Sequence, residues 1–174
     1  MRTRRGSTLK GVITFSLMVV NVVFWVPILL VVALAKLLIP LAAWRRWTSA
    51  LMIWIAQAWI SCNGAIFSLM GALRLEVDGV EGLDPRSWYL VLSNHQSWVD
   101  ILVLQKAFNR RIPFLKFFLK QELIWVPFLG LAWWALDFPF MKRHSATYLQ
   151  KHPQARGEDL DATRKACERF ALLP

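Results

Sequence analysis

Apolar positions along this chain follow two different patterns. From Gly11 to Ala35 there is a run of 25 residues without a charge, and a second uncharged run extends from Thr48 to Leu73. A 25-residue helix is about 38 Å long at about 1.5 Å per residue, more than the ~30 Å hydrocarbon core of a bilayer. The first run is longer than the h-region of a secretory signal peptide, the competing reading, and no clear small-residue cleavage site follows it. Pro27 inside it predicts a kink, which membrane helices tolerate. Between the runs, Lys36 to Trp47 reads as a break, with Pro40, Arg45 and Arg46 and with Trp44 and Trp47 as interfacial anchors. Gln57, Ser61, Asn63 and Gly64 make the second run less oily in its middle. The pair reads either as a two-span helical hairpin or as a re-entrant or in-plane pair holding a domain on one face. Basic residues on both sides of the first run leave the choice open.

From Arg74 onward the pattern is that of an α/β domain. Leu73-Arg74-Leu75-Glu76-Val77 alternates like a strand, and Asp78-Gly79 and Gly82 to Pro85 mark turns. Trp88 to Leu92 reads as a buried strand, Trp98 to Phe108 as a helix, and Ile112 to Leu119 as a further strand. Lys120 to Asp137 is apolar, interrupted by Pro127 and Gly130, and has no clean period. Phe138 to Met141 reads as an edge strand because of Pro139. A helix is expected near His144 to Gln150. A last one, near Glu158 to Ala171, would pack through Leu160, Cys167, Phe170 and Ala171. Alternating strands and helices imply an α/β layer with some parallel pairing. The predicted architecture is therefore a basic tail and membrane-anchoring helical hairpin over residues 1–73, followed by an α/β domain over residues 74–174.

Composition sharpens this picture. Hydrophobic residues make up 56% of the 174, mean hydropathy is +0.41, and there are ten tryptophans and eleven phenylalanines. Aromatic side chains of this kind favour the boundary between oil and water. The net charge of +10 is uneven: residues 1–46 carry seven Lys or Arg and no acid, whereas residues 47–90 carry two bases and four acids. A basic, apolar chain predicts membrane lipids as partners, and no nucleic-acid-binding motif accompanies the charge. Cys62 and Cys167 form neither a metal spacing nor a disulfide framework, and no histidine clusters with them, so no metal site is expected.

The candidate chemistry lies in Asn94-His95-Gln96-Ser97-Trp98-Val99-Asp100, on the turn from the predicted strand into the predicted helix. A neutral imidazole can take a proton from a hydroxyl through one ring nitrogen, while a carboxylate on the other fixes its tautomer. His95 as general base and Asp100 as its partner make a dyad suited to a substrate that brings its own hydroxyl. The same residues also read as a capping box, since Ser97-x-x-Asp100 precedes an apolar helix and an acid is favoured at a helix N-terminus.

Asn94-His95-x4-Asp100 resembles the signature of the glycerolipid acyltransferases, the family that includes the 1-acylglycerol-3-phosphate (lysophosphatidate) O-acyltransferases. Lys120, Val126-Pro127-Phe128-Leu129-Gly130 and Phe138-Pro139-Phe140-Met141-Lys142-Arg143 look like its second motif. The Lys-Arg ending looks most like the branch of bacterial inner-membrane enzymes and lysocardiolipin-type enzymes. The resemblance implies transfer of a fatty acyl group from acyl-CoA or acyl carrier protein to a lysophospholipid hydroxyl. The thioester is then a substrate, and no bound cofactor is required. It implies His95 as general base, Asp100 as its partner, and Arg143 as the group that holds the acceptor phosphate. Asn94 and Lys120 are further candidates for substrate binding, and Lys120 also reads as a snorkelling interfacial lysine. The implied location is a bacterial inner membrane, with the catalytic domain on its cytoplasmic face.

The family's third motif, Glu-Gly-Thr-Arg, does not occur in the sequence, and the chain stops at about the point where that strand should begin. The expectation is a partial acyltransferase domain, truncated at its C-terminus. Two alternatives follow: a non-catalytic, membrane-anchored remnant that binds anionic lipid or a partner, and a small membrane subunit in which His95 and Asp100 lie apart.

Overall fold

A computed structural model describes residues 2–71, 75–142, 146–151 and 157–171. Helices dominate it. In chain order they are α1 (Arg2–Leu38), α2 (Ala42–Met70), α3 (Val99–Phe108), a 3-10 turn (Gln121–Trp125), α4 (Leu129–Ala135), α5 (Ala146–Lys151) and α6 (Glu158–Ala171). The strands β1 (Leu119–Lys120) and β2 (Phe140–Met141) pair in parallel, Leu119 opposite Phe140 and Lys120 opposite Met141. Thr8–Leu38 and Ala42–Met70 are each long and apolar enough to cross a membrane. The chain divides into two compact units, Met1–Val31 with Leu51–Leu115, and Val32–Ala50 with Lys116–Pro174.

In the first unit the buried apolar residues include Val26 and Leu29 of α1, Met52, Ile55, Ala56, Ile60 and Phe67 of α2, Ala107 of α3, and Ile112. Polar contacts hold its helices in register. Asn21 Nδ2 donates to Asn63 Oδ1 at 2.9 Å and to the Trp59 carbonyl at 3.3 Å. Lys106 Nζ donates to Ser68 Oγ at 2.8 Å and to the Gly64 carbonyl at 3.3 Å. Asn109 Nδ2 donates to Ser61 Oγ at 2.9 Å and to the Gln57 carbonyl at 3.1 Å. As α3 advances from Lys106 to Asn109, its partners on α2 step back from 64 and 68 to 57 and 61, so α3 runs antiparallel to α2.

The second unit begins at the turn between α1 and α2. Pro40 disfavours helical geometry for the residue before it, which ends α1. Trp44 Nε1 donates to the Ala35 carbonyl at 3.0 Å and satisfies one of the four orphan acceptors at that helix end. The break is thus only 39–41, shorter than the predicted Lys36 to Trp47, and Arg45 and Arg46 already lie within α2. Around β1 and β2 pack Leu119, Ala132, Ala135, Leu136, Phe138 and, from α6, Ala166. Asp137, at φ 58°, closes α4 in a Schellman arrangement: its N–H donates to the Trp134 carbonyl and that of Phe138 to the Trp133 carbonyl. The Asp137 carboxylate lies 3.6 Å from Lys36 Nζ.

The stretch 126–130 is tightly built. Phe128 sits at φ 62° and ψ −48°, with the Leu129 N–H donating to the Pro127 carbonyl at 2.7 Å. This is the γ-turn of the strained hand. Gly130 is buried, and a Cβ added to it would overlap the Ile124 carbonyl. Only glycine lets the start of α4 approach the 3-10 turn so closely.

Three predicted strands are not formed. Leu73 and Arg74 lie outside the described residues, and Leu75 to Val77 is irregular. Trp88 to Leu92 is extended in pattern but not buried: Trp88, Leu90 and Leu92 are 73%, 82% and 85% exposed, against 39% for Tyr89. Of 112–119, only Leu119 pairs. A strand exists only where a neighbour takes up its N–H and C=O groups, and β1 with β2 is the one such pairing among the described residues. The α/β layer expected from the sequence is here one short parallel pair within a largely helical fold. Among the described side chains of α6 Ala166 is buried, and Cys167, expected on the packing face, is exposed. Leu160, Phe170 and Ala171 lie outside the residues whose side chains are described.

Gly130→Ala is expected to lower the stability of the fold by about 1–3 kcal/mol, the usual cost of forcing atoms into a filled site. Denaturant unfolding of the two proteins in the same detergent measures it. Equal midpoints would mean that the junction yields.

Candidate active site

α3 starts from a turn whose polar groups satisfy one another. Ser97 Oγ accepts from the Val99 N–H at 3.2 Å. Asp100 Oδ2 reaches back to accept from the N–H groups of Ser97 at 2.7 Å and Gln96 at 2.6 Å. Trp98 already has helical angles, so Ser97 acts as the cap and Asp100 is the third residue of the helix. This is a capping box, as the spacing of serine and aspartate allows.

The same oxygen faces the histidine. His95 Nδ1 lies 3.4 Å from Asp100 Oδ2. That is an ion-pair distance, somewhat longer than the usual 2.7–3.2 Å of an N–H···O hydrogen bond. His95 is 60% exposed at its side chain and Asp100 31%. With Nδ1 turned to a carboxylate, the ring proton belongs on Nδ1 and the lone pair on Nε2. Nε2 is then the ring nitrogen that can accept a proton. Cap and dyad are one arrangement: the hydrogen bonds that start α3 also fix the oxygen that the histidine faces.

Electrostatics follow from the same contacts. The carboxyl of Asp100 is held below its ordinary value of 3.8, first by the hydrogen bond from the Ser97 N–H and then by that from Gln96; the neighbouring His95 adds less. Both N–H groups are occupied by Asp100, so neither is left to stabilise an oxyanion.

Of the other residues singled out from sequence, Asn94 is exposed on the same loop, and its carbonyl accepts from Ser93 Oγ at 3.2 Å. Lys120 is an exposed residue of β1, in the second unit. Arg143 lies outside the described residues. Among the described residues no three of His, Cys, Asp and Glu come together as a metal site. The sequence reading missed Lys106 and Asn109, which fasten the helix carrying Asp100 to α2. Their signal was available: Gln57, Ser61, Gly64 and Ser68 form a stripe of polar or small residues along one face of the second apolar run.

Comparison with known proteins places this geometry in context. The sequence model of the acyltransferase family matches residues 74–168, more than half of the chain, and includes the His95–Asp100 turn. The chain belongs to the acyltransferase family. The 1-acyl-sn-glycerol-3-phosphate acyltransferase alpha of Mus musculus is 36% identical over 72 residues, covering 41% of this chain and 24% of that protein. The Homo sapiens and Bos taurus proteins of the same name match with the same identity and coverage. The matched stretch of this chain thus spans about a quarter of the length of these relatives. No solved structure matches the chain.

Because the folded carboxyl of Asp100 titrates below its unfolded value, its stabilisation of the α3 cap is fully present above about pH 4 and is lost as the pH falls through the lower folded value. An NMR titration of the Asp100 side-chain carbonyl should show a midpoint below 3.8. A midpoint at or above 3.8 would contradict the cap.

Proposed function

We propose that this acyltransferase moves a fatty acyl group from a thioester, acyl-CoA or acyl carrier protein, to the hydroxyl of a lysophospholipid resembling lysophosphatidate. The observation that carries the reading is His95 Nδ1 at 3.4 Å from a carboxylate that two backbone N–H groups hold in place. The names of the mammalian relatives support the class of acceptor.

In the proposed step, His95 Nε2 takes the proton of the acceptor hydroxyl as that oxygen attacks the thioester carbonyl. Asp100 stabilises the imidazolium through Nδ1. The tetrahedral intermediate then collapses, the C–S bond breaks, and the imidazolium returns its proton to the departing thiolate. The products are an ester and a free thiol, and the acyl chain passes directly between substrates. Arg143 is proposed to hold the acceptor phosphate, a task suited to the two parallel N–H donors of a guanidinium. Lys120 and Asn94 are proposed as lesser substrate contacts. α1 and α2 seat the protein in the membrane, and the resemblance to bacterial inner-membrane enzymes supports a cytoplasmic-facing domain there.

The test is transfer from acyl-CoA and from acyl carrier protein to lysophosphatidate by purified protein. His95→Ala should lower turnover by about 10²–10⁴-fold, the usual contribution of a general base. The exposed ring makes little packing, so the variant should keep the wild-type unfolding midpoint. Asp100→Asn keeps an oxygen for the cap but not the charge, and should lose turnover with a smaller loss of stability than Asp100→Ala. A His95→Ala protein as fast as wild type would reject the mechanism. A wild-type protein without transfer from either donor would instead favour a lipid-binding membrane protein.

A further inference from the structure

α4 is built inside out for a helix that faces water. It contains no charged or polar side chain, it buries Gly130, Ala132 and Ala135, and it exposes Leu131 and Trp134. A helix on an aqueous surface does the reverse, hiding large apolar residues and showing polar ones. Small residues turned inward and large ones outward is the arrangement of helices whose surroundings are lipid. Trp125, on the preceding 3-10 turn, and Phe128 are exposed as well, so four large apolar side chains within residues 125–134 are 53–85% exposed. The exposure of Phe128 is built in. The strained γ-turn at that residue is held between the fixed ring of Pro127 and the close approach of Gly130 to Ile124.

We infer that Trp125, Phe128, Leu131 and Trp134 form a second membrane-docking surface, in the unit of Val32–Ala50 with Lys116–Pro174, that beds in the headgroup–acyl boundary of an anionic bilayer. Tryptophan favours that boundary because one end of the indole is apolar and the other can donate a hydrogen bond. Charge fits the same partner. The unit carries twelve Lys or Arg against six Asp or Glu, and Lys120 on β1 and Lys142 just after β2 are exposed on either side of this stretch. Continuity fits it too. Within the same unit Lys36, at the end of α1, pairs with Asp137, at the end of α4, and Leu37, Leu38, Leu41 and Trp47 around the α1–α2 turn are also exposed. The surface goes beyond the acyl-transfer reading and does not need turnover to be detected.

The 174-residue protein carrying Cys62→Ala and Cys167→Ser, with Trp125→Cys, Leu131→Cys or, as a control on α6, Arg164→Cys, is labelled with a polarity-sensitive fluorophore. It is then reconstituted in vesicles of phosphatidylcholine with a minor fraction of phosphatidylglycerol. The labels at 125 and 131 should emit further to the blue than the label at 164. They should be quenched several-fold less by aqueous iodide, and strongly by lipid-borne nitroxide. Two exposed positions are used so that a fold defect in one does not decide the outcome. Iodide quenching at 125 and 131 equal to that at 164 would overturn the proposal, because the surface would face water. Shielding from both quenchers would also overturn it, because protein rather than lipid would then cover the surface.

Discussion

A single carboxylate oxygen, Asp100 Oδ2, receives the N–H groups of Gln96 and Ser97 and faces the Nδ1 of His95. Remove it and the turn that starts α3 loses the acceptor for two backbone N–H groups at the moment the histidine loses its partner. This coupling makes the turn more than a coincidence of spacing. A general base needs an orienting group that does not itself wander, and a carboxylate already committed to two backbone donors has little freedom left. It also stays ionised, since those donors stabilise the charged form.

Holding the turn is of little use unless α3 is held as well. Lys106 and Asn109 attach its far end to α2 through Gly64, Ser68, Gln57 and Ser61. A hydrogen bond nets about 0.5–1.5 kcal/mol, and one from a charged group about 1.5–3. Two such donors set direction and register more than they add bulk stability. Asn21 and Asn63 act in the same way between α1 and α2. Inside an apolar helix pair, oily side chains slide against one another at small cost, whereas an unpaired amide is penalised wherever it lands, so the pair selects one register.

How much of this was legible in the sequence differs by element. The long apolar runs announced α1 and α2, and the apolar stretch after Asp100 announced α3 to within a residue, because helices close their own hydrogen bonds and local pattern is enough. The strands at 88–92 and 112–119 were misread for the opposite reason. A short apolar run reports that a segment is suited to burial, but pairing depends on a neighbour that local sequence does not name. At the site the cap was legible in Ser97-x-x-Asp100, and the structure forms it while setting His95 Nδ1 3.4 Å from the same carboxylate. The attachment of α3 to α2 was overlooked because its donors and acceptors sit some 40 to 50 residues apart.

The stretch 126–130 carries a related lesson about residues whose task is geometric. Val126-Pro127-Phe128-Leu129-Gly130 supplies no titratable group, and each of its distinctive residues has a geometric task. Proline sets the entry, Phe128 takes the strained turn, and glycine admits the Ile124 carbonyl. Strain of this kind, about 1–3 kcal/mol for a non-glycine residue in such a region, persists only where the surroundings impose it. A soluble protein gains nothing from spending that strain to hold an aromatic ring in water. A protein whose solvent is partly lipid does gain, because the ring then leaves water on docking, and the free energy of that transfer offsets the strain.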